Sequence, residues 1–291
     1  IGGMLILYID EVMSKWGFGS GVSLFIAAGV SAEIFIRAFS PLTSAGTWAF
    51  ASGQPPVGQV WVFIVSLING VPAEAALALA TILATIVVFA ISVYAQSMKV
   101  EIPLSFGRVR GYGIRWPLKF IYTSNIPVIL IAALIANIQL WASLLERAGY
   151  PILGTFSGNI PVSGFVAWIN PPILLQEIFS RSLSWLDAAH GIVYLLYLVA
   201  GSVLFSIFWL QTSGMDAGTQ AKQIMKSGLQ IPGFRRDPRV LESILSRYIK
   251  PLTVMGAIVI GLLAGTADLL GALSRGTGIL LAVMIIYKLY E

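Results

Sequence analysis

Three runs without a charged residue set the terms for this chain: Ala75–Met98, Phe120–Leu145 and Ala188–Leu210. Each is longer than the roughly 20 apolar residues that a bilayer crossing requires. Peptide groups in hydrocarbon have no water to pair with, so such runs are helices. The rest of the chain agrees. It is 57% apolar and 11% charged, with a mean hydropathy of +0.86, against about 25% charged residues in ordinary soluble domains. A soluble fold of 291 residues has too small an interior for that much apolar surface. The class is therefore an all-α polytopic membrane protein.

The runs are separated by segments of distinct character. Ile1–Ile9 is apolar but too short to span, and reads as the tail of a helix that begins outside the chain. Asp10, Glu11 and Lys15 close it, and Gly17–Gly21 turns the chain into a second helix, Val22–Phe39. Residues 40–74 are rich in Gly, Pro, Ser and Thr around an apolar stretch, Val57–Ile68, and are expected to form a loop with a partly inserted element. After Ala75–Met98 comes a basic hairpin, Lys99–Lys119, feeding the Phe120–Leu145 run through Thr123-Ser124-Asn125-Ile126-Pro127. The proline is expected to distort that helix near its start. Residues 146–186 are too irregular to span. Asp187 is expected to cap the Ala188–Leu210 helix. A second polar segment follows (212–250), and then two last helices, Pro251–Ala267 and Gly276–Tyr290, separated by Asp268 and Arg275.

Alternation of the helices places the loops around Lys15, 98–124, 212–250 and Lys288 on one side. Those loops hold fourteen of the eighteen basic residues, leaving Arg37, Arg147, Arg181 and Arg275 for the other side. The positive-inside rule puts the basic side in the cytosol.

Little in the sequence is suited to catalysis. With no cysteine and one histidine, His190, there is no thiolate or histidine-built metal site, and no cofactor is expected. No acidic pair lies within one turn inside a span, so the chain is read as no enzyme. His190 is expected to pack at its helix entrance. Glu33 and Arg37, four apart on one helix face, are expected to neutralise each other. The basic loops carry more than the ordinary cytosolic excess. Arg108, Arg110 and Arg115 alternate with glycines and aromatics, and Arg235, Arg236 and Arg239 follow the turn Pro232-Gly233-Phe234. Such clusters suit a phosphate backbone, an acidic protein surface or anionic lipid. Val22 and Ile26 near the start of one helix, Ile129 one turn into another and Leu281 one turn into the last are ordinary packing residues or, taken together, a dewetted ring that seals a pore.

Several stretches resemble the SecY family, the central subunit of the protein-translocation channel, in its archaeal branch. They are Tyr8-Ile9-Asp10-Glu11 with Gly19–Ile26, Val100-Glu101-Ile102-Pro103-Leu104, Thr123–Ile129, Gly233-Phe234-Arg235-Arg236, Arg247-Tyr248-Ile249 and Gly276–Leu281. They occur in the family's order across almost the whole chain.

The resemblance implies an inverted-repeat helical bundle of ten helices, of which this chain lacks the first three. Residues 1–39 would be the end of the fourth helix and the fifth. Residues 40–74 would be the external hinge, and 75–291 the C-terminal half with the sixth to tenth helices. It further implies a pore ring to which Val22, Ile26, Ile129 and Leu281 belong, and a lateral gate at Asn125, Ile126 and Pro127. Ribosome docking would fall at Arg108, Arg110, Arg235, Arg236 and Arg239. The implied partners are a SecE-type subunit, a small beta subunit, the ribosome, the translocating polypeptide with its signal sequence, and membrane lipid. The implied location is the plasma membrane. The competing reading is a secondary transporter of small solutes built on inverted repeats, which would need polar or charged residues deep in spans that are nearly bare. No G-x-x-x-x-G-K-[ST] loop is present, so the driving work would come from a partner.

Overall fold

The computed structural model describes residues 2–17, 21–106, 113–158, 160–182, 184–230 and 237–290. The chain opens with α1 (Gly2–Trp16), α2 (Gly21–Phe39), α3 (Ala49–Ser52), α4 (Gln59–Ile68) and α5 (Pro72–Ser97). A hairpin of β1 (Lys99–Phe106) and β2 (Gly113–Lys119) leads into α6 (Ile126–Arg147). Short elements follow: β3 (Phe156–Ser157), β4 (Ile160–Pro161), α7 (Gly164–Trp168) and α8 (Leu174–Phe179). The remainder is α9 (Trp185–Thr212), α10 (Ala217–Lys226), β5 (Leu229–Gln230), α11 (Pro238–Leu269) and α12 (Gly276–Tyr290). Among the described residues five stretches are long and apolar enough to cross a membrane: α2, α5, α6, α9 with α10 behind it, and α11. Within its apolar window α11 is 56% buried against protein, while α2 is 11% buried. The chain divides into two compact units.

The first unit comprises Ile1–Val93, Ile135–Tyr197 and Leu263–Glu291. Here α1 and α2 pack side by side. Gly21 allows the approach, since a Cβ there would stand 3.0 Å from the Asp10 Cα. Asp10 Oδ1 accepts the Val22 N–H at 3.0 Å, satisfying one of the donors that a helix N-terminus leaves open. Helix α2 also packs on α12, and Val88, Ala267, Ala272, Ile279 and Val283 form a buried cluster with Ile34 against it. Residues 40–74 are tied down by the Trp61 Nε1–H bond to the Phe39 carbonyl (2.8 Å) and by Ser66 Oγ donating to Glu74 Oε2 (3.2 Å). The apolar stretch expected there forms α4. The following helix starts at Pro72, earlier than the expected Ala75, because proline is well suited to a first helical position.

One expectation changes in this unit. Asp187 is not the cap of α9. Ser184 is, with its Oγ accepting the Asp187 N–H (3.3 Å) while Asp187 Oδ2 accepts from Ser184 N (2.9 Å) and Oγ (2.6 Å). This reciprocal pairing three residues apart is a capping box. Glu33 and Arg37 do pair, at 3.2 Å, but Glu33 has a second partner, described below.

The second unit comprises Tyr94–Leu134 and Leu198–Leu262. The basic hairpin is antiparallel, pairing Lys99 with Lys119 through Ser105 with Gly113, and β5 adds to its other edge in the order β2-β1-β5. Under it lies an apolar core of Ile102, Leu118, Ala221, Ile224, Leu241, Leu245, Ile249 and Leu252. Three of these show that the last-but-one helix starts well before Pro251. Leu241, Leu245 and Ile249 form a stripe at helical spacing, and α11 runs on through the proline. The expected polar segment 212–250 is therefore largely helical, with α10 and the first three turns of α11 inside it. Glycines bring the long helices close. A Cβ at Gly261 would lie 3.0 Å from the Val199 Cα, one at Gly256 would lie 2.9 Å from the Phe120 carbonyl oxygen, and one at Gly201 would overlap the Ile131 side chain. Small residues serve this purpose in membranes, where close van der Waals contact replaces the hydrophobic drive.

Candidate pore ring, gate and docking loops

Of the residues read as a ring, three fall in the first unit. Val22 and Ile26 lie one turn apart on α2, the former half-buried and the latter 40% exposed. Leu281 is half-buried on α12, between the buried Leu280 and Ala282. Because α2 and α12 pack on each other, the structure brings together the two helices that carry these three side chains. Ile129 belongs to the second unit, one turn into α6, its N–H bonded to the Asn125 carbonyl at 3.2 Å.

The residues read as the gate form the entrance to α6. Helix geometry begins at Ile126, so Asn125 occupies the cap position and Pro127 sits in the first turn. At that place a proline removes no helical bond. The helix is shorter at its start than the charge-free run. The preceding turn is unusual, with Ser124 at φ 59°, a conformation uncommon outside glycine. Asn125 is fully buried, as are Thr123, Ser202, Ser206 and Thr253. Thr123 Oγ1 and Ser206 Oγ share a hydrogen bond of 2.8 Å, and Ser206 Oγ donates to the Thr253 carbonyl at 3.2 Å. One hydroxyl of α9 thus joins the α6 entrance to α11. Nearby, Tyr122 donates its hydroxyl to the Met215 carbonyl at 2.8 Å. Burial, reinforced by the Asp216 charge, pushes its phenol up to about 12, so it remains a neutral donor. Sequence reasoning found Thr123 and Asn125 but missed Ser206 and Thr253. The available signal was Ser202 and Ser206, four apart in an otherwise apolar run.

Of the arginines read as docking residues, Arg108, Arg110, Arg235 and Arg236 lie outside the described residues. Arg239 is exposed in the first turn of α11, its N–H bonded to Asp237 Oδ1 at 2.9 Å. On the hairpin Arg115 pairs with Glu101 at 2.9 Å. In the first unit His190 stacks edge-on against Trp168, with ring centres 5.4 Å apart, as expected of a packing residue. Among the described residues no three histidine or acidic side chains gather as metal ligands would.

Apolar helices wedged together through glycine, with buried hydroxyls at their crossings, define a polytopic helical membrane protein. The SecY family model matches residues 1–290, and the chain belongs to the SecY family. It is 45% identical over 290 residues to the protein translocase subunit SecY of Methanocaldococcus jannaschii, covering 100% of this chain and 61% of that one. To the SecY of Pyrococcus furiosus it is 46% identical, covering 100% and 63%. Among solved structures it is similar to a protein-conducting channel (TM-score 0.79, 45% identity, 99% of this chain and 62% of that one). It is also similar to Sec61 in the canine ribosome-channel complex from the endoplasmic reticulum (TM-score 0.75, 43% identity, 99% and 61%). The chain spans about three fifths of the length of the curated relatives it matches.

Proposed function

We propose that this chain is the C-terminal part of the central pore subunit of a protein-translocation channel. It would conduct secretory polypeptides and release transmembrane segments sideways into lipid. Family membership over residues 1–290 carries the reading, and the packing of α2 on α12 supports it. In this reading residues 1–39 belong to the N-terminal half, 40–74 are the hinge and 75–291 form the C-terminal half. Val22, Ile26, Ile129 and Leu281 supply aliphatic side chains to a collar that stays dry at rest and yields to a passing chain. Asn125, Ile126 and Pro127 line the gate. A passing segment of about 20 apolar residues leaves through it because burial in lipid returns roughly 25 cal/mol per Å². The basic loops face the cytosol of a cell whose plasma membrane holds the channel. Arg108, Arg110, Arg235, Arg236 and Arg239 meet the ribosome there, and a SecE-type helix and a small beta subunit complete the assembly.

With any cysteine outside these 291 residues replaced, the absence of cysteine within them permits a direct test. Single variants Ile26→Cys, Ile129→Cys and Leu281→Cys in the full-length complex are expected to form disulfides with a cysteine in a stalled secretory chain. Val87→Cys on the exposed face of α5 (52% exposed) is the control. Equal crosslinking at Val87, or none at the three ring positions, would overturn the reading.

A further inference from the structure

The six-residue link between α11 and α12 is held by more polar contacts than a simple turn requires. Asp268, in the last turn of α11, accepts the Gly276 N–H on Oδ1 at 2.8 Å, which satisfies the first amide of α12. Its other oxygen accepts the Tyr194 hydroxyl of α9 at 2.8 Å. The Leu273 N–H donates to Thr85 Oγ1 on α5 at 2.9 Å, and Ser274 Oγ donates to Glu33 Oε2 on α2 at 3.1 Å. Tyr194, Thr85, Leu273 and Ser274 are all buried. The link leaves little slack. Gly271 holds φ at +60°, and a Cβ on Gly276 would run into the Ala264 carbonyl. Four helices, α2, α5, α9 and α11, are thus bonded to the segment that sets where α12 begins. Two of the bonded partners, α2 and α12, carry Val22, Ile26 and Leu281.

We propose that this link is a positioning site that fixes the resting register of α12 against α2, and so the tightness of the collar, with α9 tied to the same point through Tyr194. The inference rests on the ring reading above and adds what holds the ring closed. The physical argument is one of direction. Aliphatic contacts between α2 and α12 resist separation but not sliding, whereas a directed bond at a helix start fixes translation and rotation together. Buried networks of this kind lose more than one bond's worth of order when a single member is removed.

The test uses the full-length protein, in complex with its partner subunits, reconstituted into liposomes. Thr85→Val, Ser274→Ala and Tyr194→Phe each remove one polar atom with little change of shape, while Thr85→Ser keeps the acceptor. The readouts are resting ion efflux and the number of leucines that a 20-residue test segment needs for insertion. The three variants are expected to raise resting efflux at least tenfold and to lower the leucine requirement, at a melting temperature close to wild type, with Thr85→Ser sealing like wild type. Ile26→Gly and Leu281→Gly serve as ring controls. Ring controls that leak beside link variants that seal like wild type would overturn the positioning role and leave the ring standing. Ring controls that stay sealed would overturn the ring, and this inference with it. Should Thr85→Val fail to assemble, Tyr194→Phe, which loses a single oxygen, decides the matter by the same efflux criterion.

Discussion

The hydroxyl of Ser206 is the smallest group on which the α6 entrance depends, and its removal can be worked through. Ser206 donates to the Thr253 carbonyl, so in the 2.8 Å contact with Thr123 it is the acceptor and Thr123 the donor. Ser206→Ala therefore deletes two hydrogen bonds and leaves the buried Thr123 hydroxyl without its acceptor. In water-soluble proteins the net loss is about 0.5–1.5 kcal/mol per bond, plus about 1–3 kcal/mol for a stranded buried donor. In membranes the interhelical bond averages about 0.6 and reaches about 1.7 kcal/mol, because alternative partners exist before the helices assemble. The membrane figure governs here, and the expected cost is about 1–3 kcal/mol.

A single variant would not separate this bond from lost packing, so the measurement is a double-mutant cycle with Thr123→Val. Unfolding of the purified full-length complex in mixed micelles, followed across a denaturing-detergent titration, supplies the four free energies. The double variant is expected to cost less than the sum of the singles by about 0.6–1.7 kcal/mol, since each single variant already forfeits the shared bond. Additivity to within about 0.3 kcal/mol would refute the assignment of Ser206 as the joint between the α6 entrance and α9.

Other perturbations address other parts of the molecule. Asn125→Leu is expected to change the hydrophobicity at which a test segment inserts, because a buried amide at the proposed gate costs energy unless it is bonded; an insertion curve superimposable on wild type would count against the gate role. Reversing Arg235 and Arg236 to Glu is expected to weaken ribosome co-sedimentation at moderate salt without lowering the melting temperature, and unchanged sedimentation would reject docking there. Ser184→Ala, which removes the α9 cap, is expected to cost about 1 kcal/mol in the same detergent titration, and an unchanged unfolding free energy would reject Ser184 as the cap. Glu177 has one enclosed oxygen without a hydrogen-bond partner. Burial, and then the Asp187 charge, holds its carboxyl above the usual range, against a smaller opposing pull from His190. A raised value in the folded state means stability that is full below the unfolded carboxylate value and lost as pH rises through the folded one. Glu177→Gln, which mimics the protonated form, should therefore raise the melting temperature at pH 8 and not at pH 4, and a gain independent of pH would contradict the argument.

The parts legible in the sequence were those written in local pattern. Absence of charge marked α5, α6 and α9, and glycine with alternating basic and aromatic residues marked the β1–β2 hairpin. The α11 start was hidden by Pro251 and by Arg239, Glu242, Arg247 and Lys250, which gave the segment the look of a polar loop. Its apolar stripe of Leu241, Leu245, Ile249 and Leu252 holds helical spacing throughout, and a period count would have outweighed the proline. The cap of α9 was misassigned by one turn because serine and aspartate three apart can each play either part of a capping box. The bonds at the α11–α12 link had no local signal at all. Tyr194 and Asp268 are 74 positions apart, and Ser274 and Glu33 are 241 apart, so only the packed helices bring them into reach.

That division follows from the solvent. Lipid is as apolar as leucine, so burying an apolar face against a neighbouring helix gains little, and sequence hydropathy reports where a helix spans but not what it touches. Neighbour choice then falls to the few features that lipid handles poorly or geometry makes exclusive. Here those are glycine gaps at 201, 256 and 261 and single hydroxyl or carboxylate bonds at Ser206, Ser274 and Asp268. Each such contact is specific in geometry and individually weak. In the channel proposed above, a wall of helices that parts for a passing chain and then closes again needs both properties. Strong apolar adhesion would resist parting, and featureless contact would not restore the register, whereas directed bonds of about 1 kcal/mol break one at a time and re-form in only one arrangement.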